Sequence, residues 1–236
     1  LDADKAYRVT IKLGEKTDSA DAEGEIIQTA SADAVTQADI EALLPEFTGQ
    51  ISQLPPMYSA VKHDGKRLYE LARQGIEVER KRRQITIYSL QLRQFDLPFV
   101  ELDVSCSKGT YVRTLADDIG DKLGCGAHVT QLRRTHVAHF TGEPVTFETL
   151  QALLQTQGMD AVDQLLLPME VAIEDFAMVK LNADMQHYVR HGQAVMVPKA
   201  PTSGLVRMFG PQQNFVGVGQ ILSDGRVAPK RLIVEN

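Results

Sequence analysis

The chain's most chemically suggestive residues lie between Ser107 and Arg113. Ser107, Lys108 and Thr110 surround Gly109 in a short polar turn, and an amphipathic segment follows it. If that segment is a helix, the backbone N–H groups of its first turn lack helical partners and attract anions. Arg113 lies one residue after the apolar Val112, so its guanidinium is drawn toward the packed side, where a carboxylate is its natural partner. The turn therefore predicts an anion-binding site beside a half-buried arginine.

A strand and a helix are needed to position this turn. Apolar residues alternate from Val100 to Cys106, which predicts a strand. The spacing of Val112, Leu115, Ile119 and Leu123 predicts a helix that Gly124 ends. A further strand is expected from Ala127 to Phe140. The unit is therefore strand, glycine turn, helix and strand.

Other segments frame this unit. We expect a strand from Tyr7 to Leu13, a helix capped by Thr36, and two long strands over 84–95 and 99–106. The acidic stretch between Lys16 and Gly24 lacks the spacing of a calcium loop and is interpreted as a turn. Towards the carboxy end we expect a helix after Thr146, a linker over 170–175, a helix capped by Asn182, and short strands over 194–197, 204–209, 215–221 and 231–234.

Four ordered stretches resemble one family. The run S-K-G-T-Y-V-R-T-L, with G-C-G-A-H-V-x-x-L-R-R-T after it, is similar to the bacterial TruB-type tRNA pseudouridine synthases. Three more stretches resemble the same family in the same order: Asp4 to Gly24, Gln53 to Gly75, and Gly217 to Leu232. The resemblance spans nearly the whole chain and implies isomerisation of the uridine at position 55, in the T loop of tRNA.

The resemblance also implies an architecture. The expected fold class is α+β, with a mixed, mainly antiparallel central sheet, flanking helices and a small β-barrel PUA-like domain. A partial catalytic domain is expected over 1–175, with a mobile thumb insertion over about 57–83. The PUA-like RNA-binding domain is expected over 176–236.

Family positions suggest roles for individual residues. Tyr7 matches a tyrosine that stacks on the target base and is implicated in proton abstraction, and Arg113 matches the arginine that pairs with the nucleophilic aspartate. Tyr111 and Leu132 match positions that contact the flipped base. From spacing alone, Tyr7, Tyr111 and Leu132 could equally be core residues.

Basic residues are concentrated in one part of the chain. Residues 1–50 carry 4 basic and 11 acidic side chains, whereas residues 62–93 carry 9 basic and 4 acidic ones. Phosphate binding depends on local positive potential, although basic runs are also common on solvated faces. The candidate RNA-binding residues are Lys62, Lys66, Arg67, Arg73, Lys108, Arg133, Lys230 and Arg231.

One family feature is missing from the 236 residues. The resemblance implies an aspartate nucleophile within a G-x-L-D-x-x-A-x-G stretch, and no such stretch is present. Asp2, Asp103, Asp117 and Asp118 lack that context. Two interpretations stay open: a tRNA pseudouridine synthase without its amino-terminal segment, inactive by itself, or a noncatalytic RNA-binding or tRNA-folding relative. We favour the first, because Arg113 would otherwise lack a carboxylate.

Composition narrows the remaining possibilities. The two cysteines, Cys106 and Cys125, are too few for a disulfide scaffold, and the histidine pairs 136/139 and 187/191 lack further metal ligands. The resemblance implies no metal or cofactor. No apolar run is long enough to span a membrane, so we expect a cytoplasmic monomer whose partner is the T-arm of tRNA.

Overall fold

The computed structural model describes residues 3–138, 140 and 144–234. Asp2 and His139 fall outside those residues. The chain forms two compact units, Leu1–Pro144 and Val145–Asn236. Each unit has its own cluster of buried apolar side chains.

The first unit is built on a five-stranded antiparallel sheet. The strands of the whole unit are β1 (Lys5–Leu13), β2 (Glu15–Thr17), β3 (Ile26–Thr29), β4 (Gly49–Gln53), β5 (Lys62–His63), β6 (Lys66–Arg67), β7 (Arg83–Asp96), β8 (Phe99–Cys106) and β9 (Ala127–Val137). The sheet order is β4-β7-β8-β1-β9, while β2 pairs with β3 and β5 with β6 in separate hairpins. This order puts β1 between β8 and β9, at the centre of the site described below.

Three helices accompany this sheet: α1 (Gln37–Leu43), α2 (Leu68–Ala72) and α3 (Val112–Leu123). The expected cap of α1 is confirmed, since Thr36 and Asp39 bond each other's backbone N–H groups. Leu115 and Ile119 of α3 are buried in the main core, and Gly124 ends the helix in the left-handed conformation with a φ of 78°. The helix and the strand before it are therefore confirmed, while the strand after it begins at Ala127 as expected but ends at Val137 rather than at Phe140.

The second unit combines a small sheet with short helices. Its helices are α4 (Phe147–Gln157), α5 (Met159–Asp163) and α6 (Ala183–Arg190), and its strands are β10 (Ala177–Lys180), β11 (Leu205–Phe209), β12 (Phe215–Ile221) and β13 (Val227–Leu232). Thr146 caps α4 and Asn182 caps α6, as predicted. The parallel pair β10–β11 begins a sheet that continues antiparallel through β12 to β13.

Several expectations for this unit were wrong. Residues 194–197 form no strand, because Val195 makes only an isolated bridge to Val227. The last strand is Val227–Leu232 rather than 231–234, and the linker contains a short 3₁₀ helix, Met169–Ile173. Pairings among the described residues give an open four-stranded sheet and close no barrel. Among the described residues, no helix has the length and apolar character needed to cross a membrane.

Candidate functional site

The first turn of α3 brings Arg113 against the acidic turn after β2. Arg113 Nη1 lies 2.6 Å from Asp21 Oδ2, and Nη2 donates to the Tyr58 carbonyl at 2.8 Å. The Arg113 side chain is 28% exposed and that of Asp21 is 23% exposed, so the pair is half-buried. Asp21 therefore supplies a carboxylate partner for Arg113 within the chain, so the guanidinium is not left unpaired by the absence of the family's aspartate.

Asp21 is held rigidly by its own turn. Its Oδ1 accepts from the Ser19 hydroxyl at 2.7 Å and from the Glu23 N–H at 3.1 Å. Partial burial works to raise the pKa of Asp21, but the hydrogen bonds from Ser19 and Arg113 outweigh it and leave the pKa below the ordinary value. Asp21 is therefore a fixed anion that orients Arg113.

A glycine allows the turn to close. A Cβ added to Gly24 would lie 2.2 Å from the Ser19 hydroxyl oxygen, closer than real atoms approach. The turn is also attached to β9, because Val129 N–H donates to the Ala20 carbonyl and Ala22 N–H donates to the Val129 carbonyl. These bonds place Asp21 at the edge of the sheet.

A second ionic contact fixes α3 against β2. Lys16 Nζ lies 3.0 Å from Asp117 Oδ1 and 2.7 Å from Asp121 Oδ2. Arg113, Asp117 and Asp121 recur every four residues and so share one face of the helix. Partial burial works to lower the pKa of Lys16, but its bonds to the two carboxylates leave that pKa raised. The helix face that carries Arg113 is thus anchored along its length.

Tyr7 and Leu132, which are predicted to contact the base, lie on β1 and β9. Tyr7, on β1, is directly opposite Arg134 of β9, whose guanidinium is 5.6 Å from the centre of the tyrosine ring. Leu132 is opposite Val9 and is 48% exposed. From Val129, which holds the Asp21 turn, to Arg134 is about 17 Å along β9. Along β9, the Asp21 turn therefore lies beside Val129, Leu132 comes next, and Tyr7 of β1 lies beside Arg134.

Tyr111 is held by a residue that the sequence did not reveal. Gln53, at the end of β4, donates its amide to the Tyr111 carbonyl at 3.0 Å and accepts the Tyr111 N–H at 2.8 Å. In addition, the Ser107 hydroxyl accepts from Thr86 N–H, and the Thr110 hydroxyl donates to the Ser107 carbonyl. Two hydroxyl groups of the turn before α3 are thus bonded to other groups of the protein. The prediction of an anion-binding site at this turn did not include these bonds.

The thumb residues form a separate basic region. Lys62 lies on β5, Lys66 and Arg67 on β6, and Arg73 directly after α2. The guanidinium carbons of Arg67 and Arg73 are 5.8 and 5.5 Å from the ring centre of Tyr69. A cleft of about 440 Å³ borders this hairpin, with Lys62, Arg80, Lys81 and Arg83 among its lining residues.

Two of the four basic residues over 80–83, Arg80 and Arg82, lie beside carbonyl or carboxyl groups of the same unit. Arg80 donates to the Pro55 carbonyl at 3.1 Å and pairs with Glu77. Arg82 lines a groove with Asp118, whose pKa is raised to about 6 by burial and by the neighbouring Asp117, against the attraction of Arg82. Arg80 is therefore bonded to other groups of the chain, and Arg82 lies beside a carboxyl group.

The remaining candidates are dispersed. Lys108 is in the turn before α3, and Arg133 lies opposite Arg8 on β9. Lys230 and Arg231 lie on β13, in the second unit. Among the described residues, no group of three or more histidine, cysteine, aspartate or glutamate side chains could hold a metal ion.

Comparison with solved structures supports this architecture. "Crystal Structure of a Cbf5-Nop10-Gar1 Complex" contains a chain with a TM-score of 0.68 and 24% identity, covering 98% of this chain and 67% of that one. "Structure of H/ACA RNP bound to a substrate RNA containing 2'-deoxyuridine" gives 0.67 and 20%, covering 100% and 67%. At these identities the likeness shows the fold alone.

Sequence comparison defines the family. Residues 1–112 match "TruB family pseudouridylate synthase (N terminal domain)", residues 113–174 "tRNA pseudouridylate synthase B C-terminal domain", and residues 177–233 "Pseudouridine synthase II TruB, C-terminal". "tRNA pseudouridine synthase B" of Vibrio vulnificus (strain YJ016) is 49% identical over 242 residues, covering 99% of this chain and 77% of the relative. The protein of that name from Yersinia pestis (strain Pestoides F) is 50% identical over 244 residues, covering 100% and 75%. This chain belongs to the TruB family of tRNA pseudouridine synthases.

Proposed function

We propose that this chain holds the uridine at position 55, in the T loop of tRNA, for isomerisation to pseudouridine. The half-buried Asp21–Arg113 pair carries the proposal, within a chain that matches the family from end to end. In the reaction the N1–C1′ bond of the nucleoside breaks and a C5–C1′ bond forms. The hydrogen at C5 leaves to water as N1 gains a proton.

Arg113 is the electrostatic centre of the proposed site. One N–H is engaged by Asp21 and another by the Tyr58 carbonyl, which leaves further guanidinium N–H groups for a second acceptor. A positive charge that is already oriented stabilises an additional carboxylate or a developing negative charge without reorganisation. Arg113 is therefore suited to hold a nucleophilic carboxylate in its ionised form.

Asp21 is poorly suited to be that nucleophile. Both its oxygens accept hydrogen bonds, and its pKa is lowered by the bonds that overcome its partial burial. A carboxylate with its electron pairs engaged in this way is a weak attacking group. Because the G-x-L-D-x-x-A-x-G stretch is absent from the 236 residues, we propose that they bind substrate without turning it over.

Tyr7, Tyr111 and Leu132 are proposed to hold the flipped base. Removing a uridine from a folded loop costs a few kcal/mol, and stacking on an aromatic ring offsets that cost. The Arg134 guanidinium lies 5.6 Å from the centre of the Tyr7 ring. The exposed Leu132 offers an apolar contact on the neighbouring strand.

Phosphate contacts are assigned to basic side chains around this site. Lys62, Lys66, Arg67 and Arg73 of the thumb, with Lys108 and Arg133, would contact the T-arm. Lys230 and Arg231 would act from a carboxy-terminal RNA-binding domain over 176–236, which follows a catalytic domain over 1–175 in sequence. We also propose that the chain is a monomer in the cytoplasm, which light scattering and cell fractionation would test.

A noncatalytic role in RNA binding or tRNA folding is the second candidate. It is favoured by one observation, namely that Arg113 already has one carboxylate partner, Asp21, within the chain. Base holding and strand opening need no nucleophile. Refolding of a heat-treated tRNA transcript in the presence of the chain would test this role.

Tritium release from a tRNA transcript labelled at C5 of uridine tests the main proposal. We expect the chain to bind the transcript and to release no tritium above a protein-free control. Release in proportion to the T-loop uridine would contradict the proposed lack of turnover. Failure to bind any tRNA would contradict the function itself. Arg93→Lys, on the exposed part of β7, is the matched control for Arg113→Lys, which we expect to weaken binding.

A further inference from the structure

Gln53 is a buried polar residue, with only 2% of its surface exposed. It is the last residue of β4 and directly precedes the segment that leads into the thumb. A buried amide without hydrogen-bond partners destabilises the folded state. The partners of the Gln53 amide therefore indicate which group this residue holds in place. Both of its described partners belong to one residue, Tyr111, 58 positions later in the chain.

The two hydrogen bonds have the pattern of a strand pairing. Gln53 Oε1 accepts the Tyr111 N–H at 2.8 Å, and Gln53 Nε2 donates to the Tyr111 carbonyl at 3.0 Å. Together they fix the backbone of Tyr111 on both sides of its Cα. Because the Cα–Cβ direction follows from the backbone, they also fix the point from which the phenol ring projects.

Tyr111 needs such an external partner. It precedes the first residue of α3 in an extended conformation, with φ of −104° and ψ of 104°, and its own side chain makes no capping bond. Serine, threonine, aspartate or asparagine usually caps a helix at this position. Here the amide of Gln53 takes the N–H that the helix leaves without a partner.

Arg113 adds a connection between the same two segments. Its Nη2 donates to the carbonyl of Tyr58, five residues after Gln53. The base of the thumb and the first turn of α3 are therefore joined by three hydrogen bonds. A displacement of Gln53 would therefore move Tyr111, and a displacement of Tyr58 would move Arg113.

We propose that Gln53 is a positioning residue that holds Tyr111 in place to receive the flipped uridine. This role rests on the proposed function and deepens it. Gln53 itself does not touch the base. It acts by removing the freedom of the Tyr111 backbone, so that the ring is already oriented when the loop nucleotide arrives.

The test compares two T-stem-loop RNAs, one with uridine at the target position and one abasic there. Wild-type chain should bind the uridine RNA about tenfold more tightly, because stacking contributes about 1–3 kcal/mol per base. Gln53→Met should remove most of this preference and leave the affinity for the abasic RNA within about twofold, since phosphate contacts persist. Gln50→Met is the matched control, because Gln50 is an exposed glutamine on the same strand.

A double variant separates positioning from general stability. If Gln53 acts through Tyr111, then adding Gln53→Met to Tyr111→Ala should not reduce the preference further. An unchanged uridine preference in a cooperatively melting Gln53→Met protein would overturn the proposal. If that variant does not fold, Gln53→Leu removes both hydrogen bonds with a smaller side chain. A full uridine preference in Gln53→Leu would likewise overturn it.

Amide hydrogen exchange distinguishes failure of this proposal from failure of the proposed function. Equal affinities of the wild-type chain for the uridine RNA and the abasic RNA would refute the base-holding function. The exchange rate of the Tyr111 N–H then tests the positional part alone. Slow exchange that becomes fast in Gln53→Met supports it, and equal rates in the two proteins contradict it.

Discussion

Asp21 and Arg113 form a half-buried ion pair with Oδ2 and Nη1 2.6 Å apart, although 92 residues separate them in sequence. The contact joins the turn after β2 to the first turn of α3. Because Asp21 is held by Ser19 and Glu23 as well, the guanidinium is oriented before any substrate arrives.

Replacing Asp21 with asparagine should destabilise the first unit at neutral pH. The variant keeps the shape of the side chain but removes the charge opposite Arg113, at an expected cost of about 1–3 kcal/mol. The lowered pKa of Asp21 means that its stabilising effect is present above the ordinary value of 3.8 and is lost as pH falls through the lowered pKa. Urea unfolding from about pH 7 down to pH 3 measures this.

The matched control is Asp33→Asn, an exposed carboxylate that accepts a bond from Ser31 beside it. We expect a change within about 0.5 kcal/mol. A difference between wild type and Asp21→Asn that grew as pH fell would contradict the assignment.

Asp118→Asn should have the opposite effect on stability. The pKa of Asp118 is raised to about 6 by burial and by Asp117, so the folded state binds a proton more tightly than the unfolded chain. Wild-type stability should therefore fall as pH rises from about 4 to about 7. Asparagine resembles the protonated form, so the variant should melt at a higher temperature than wild type at pH 7.5 and at a similar temperature near pH 4.

Asp163→Asn, an exposed position on α5, is the control for Asp118→Asn. Its melting temperature should differ little from wild type at either pH. A lower melting temperature for Asp118→Asn at pH 7.5 would show that its charged form is needed.

Lys16→Met should loosen α3 from β2. The ammonium group bonds Asp117 and Asp121 and is only 20% exposed, so its loss is expected to cost about 1–3 kcal/mol. Lys122→Met removes an exposed pair with Glu46 and should cost less than about 0.5 kcal/mol. Equal melting temperatures for the two variants would contradict the anchoring role of Lys16.

Neutralising the thumb should reduce the salt dependence of RNA binding. Changing Lys62, Lys66, Arg67 and Arg73 together to glutamine should weaken tRNA binding at low salt and lower the slope of log K against log salt by about 3. Arg93→Gln with Lys122→Gln, which neutralises exposed cations of β7 and α3, should leave the slope unchanged. An unchanged slope in the thumb variant would show that its charges do not meet phosphates.

Local periodicity was sufficient to predict the framework of the site. The alternation from Val100 to Cys106 and the spacing of Leu115 and Ile119 correspond to β8 and α3, and Gly124 ends the helix as expected. The same type of evidence failed at 194–197. Val195 and Val197 are buried there, yet the segment has no continuous neighbouring strand to pair with.

The partners of Arg113 and Tyr111 were beyond the reach of local patterns. Asp21 lies in a polar turn without apolar periodicity, and Gln53 ends a strand that is distant in sequence. Both contacts depend on how β2, β4 and α3 meet in space. The four-residue spacing of Arg113, Asp117 and Asp121 was an available signal, because it places three charges on one helix face that must find opposite charges.

Binding of intact tRNA tests the central claim most directly. The dissociation constant of the chain should be measured for a tRNA transcript and for the same transcript with its T loop replaced by an unrelated loop. We expect the altered transcript to bind at least about tenfold more weakly, because the base-holding residues lose their target. Equal dissociation constants for the two transcripts would contradict a T-loop uridine site around Arg113 and Asp21.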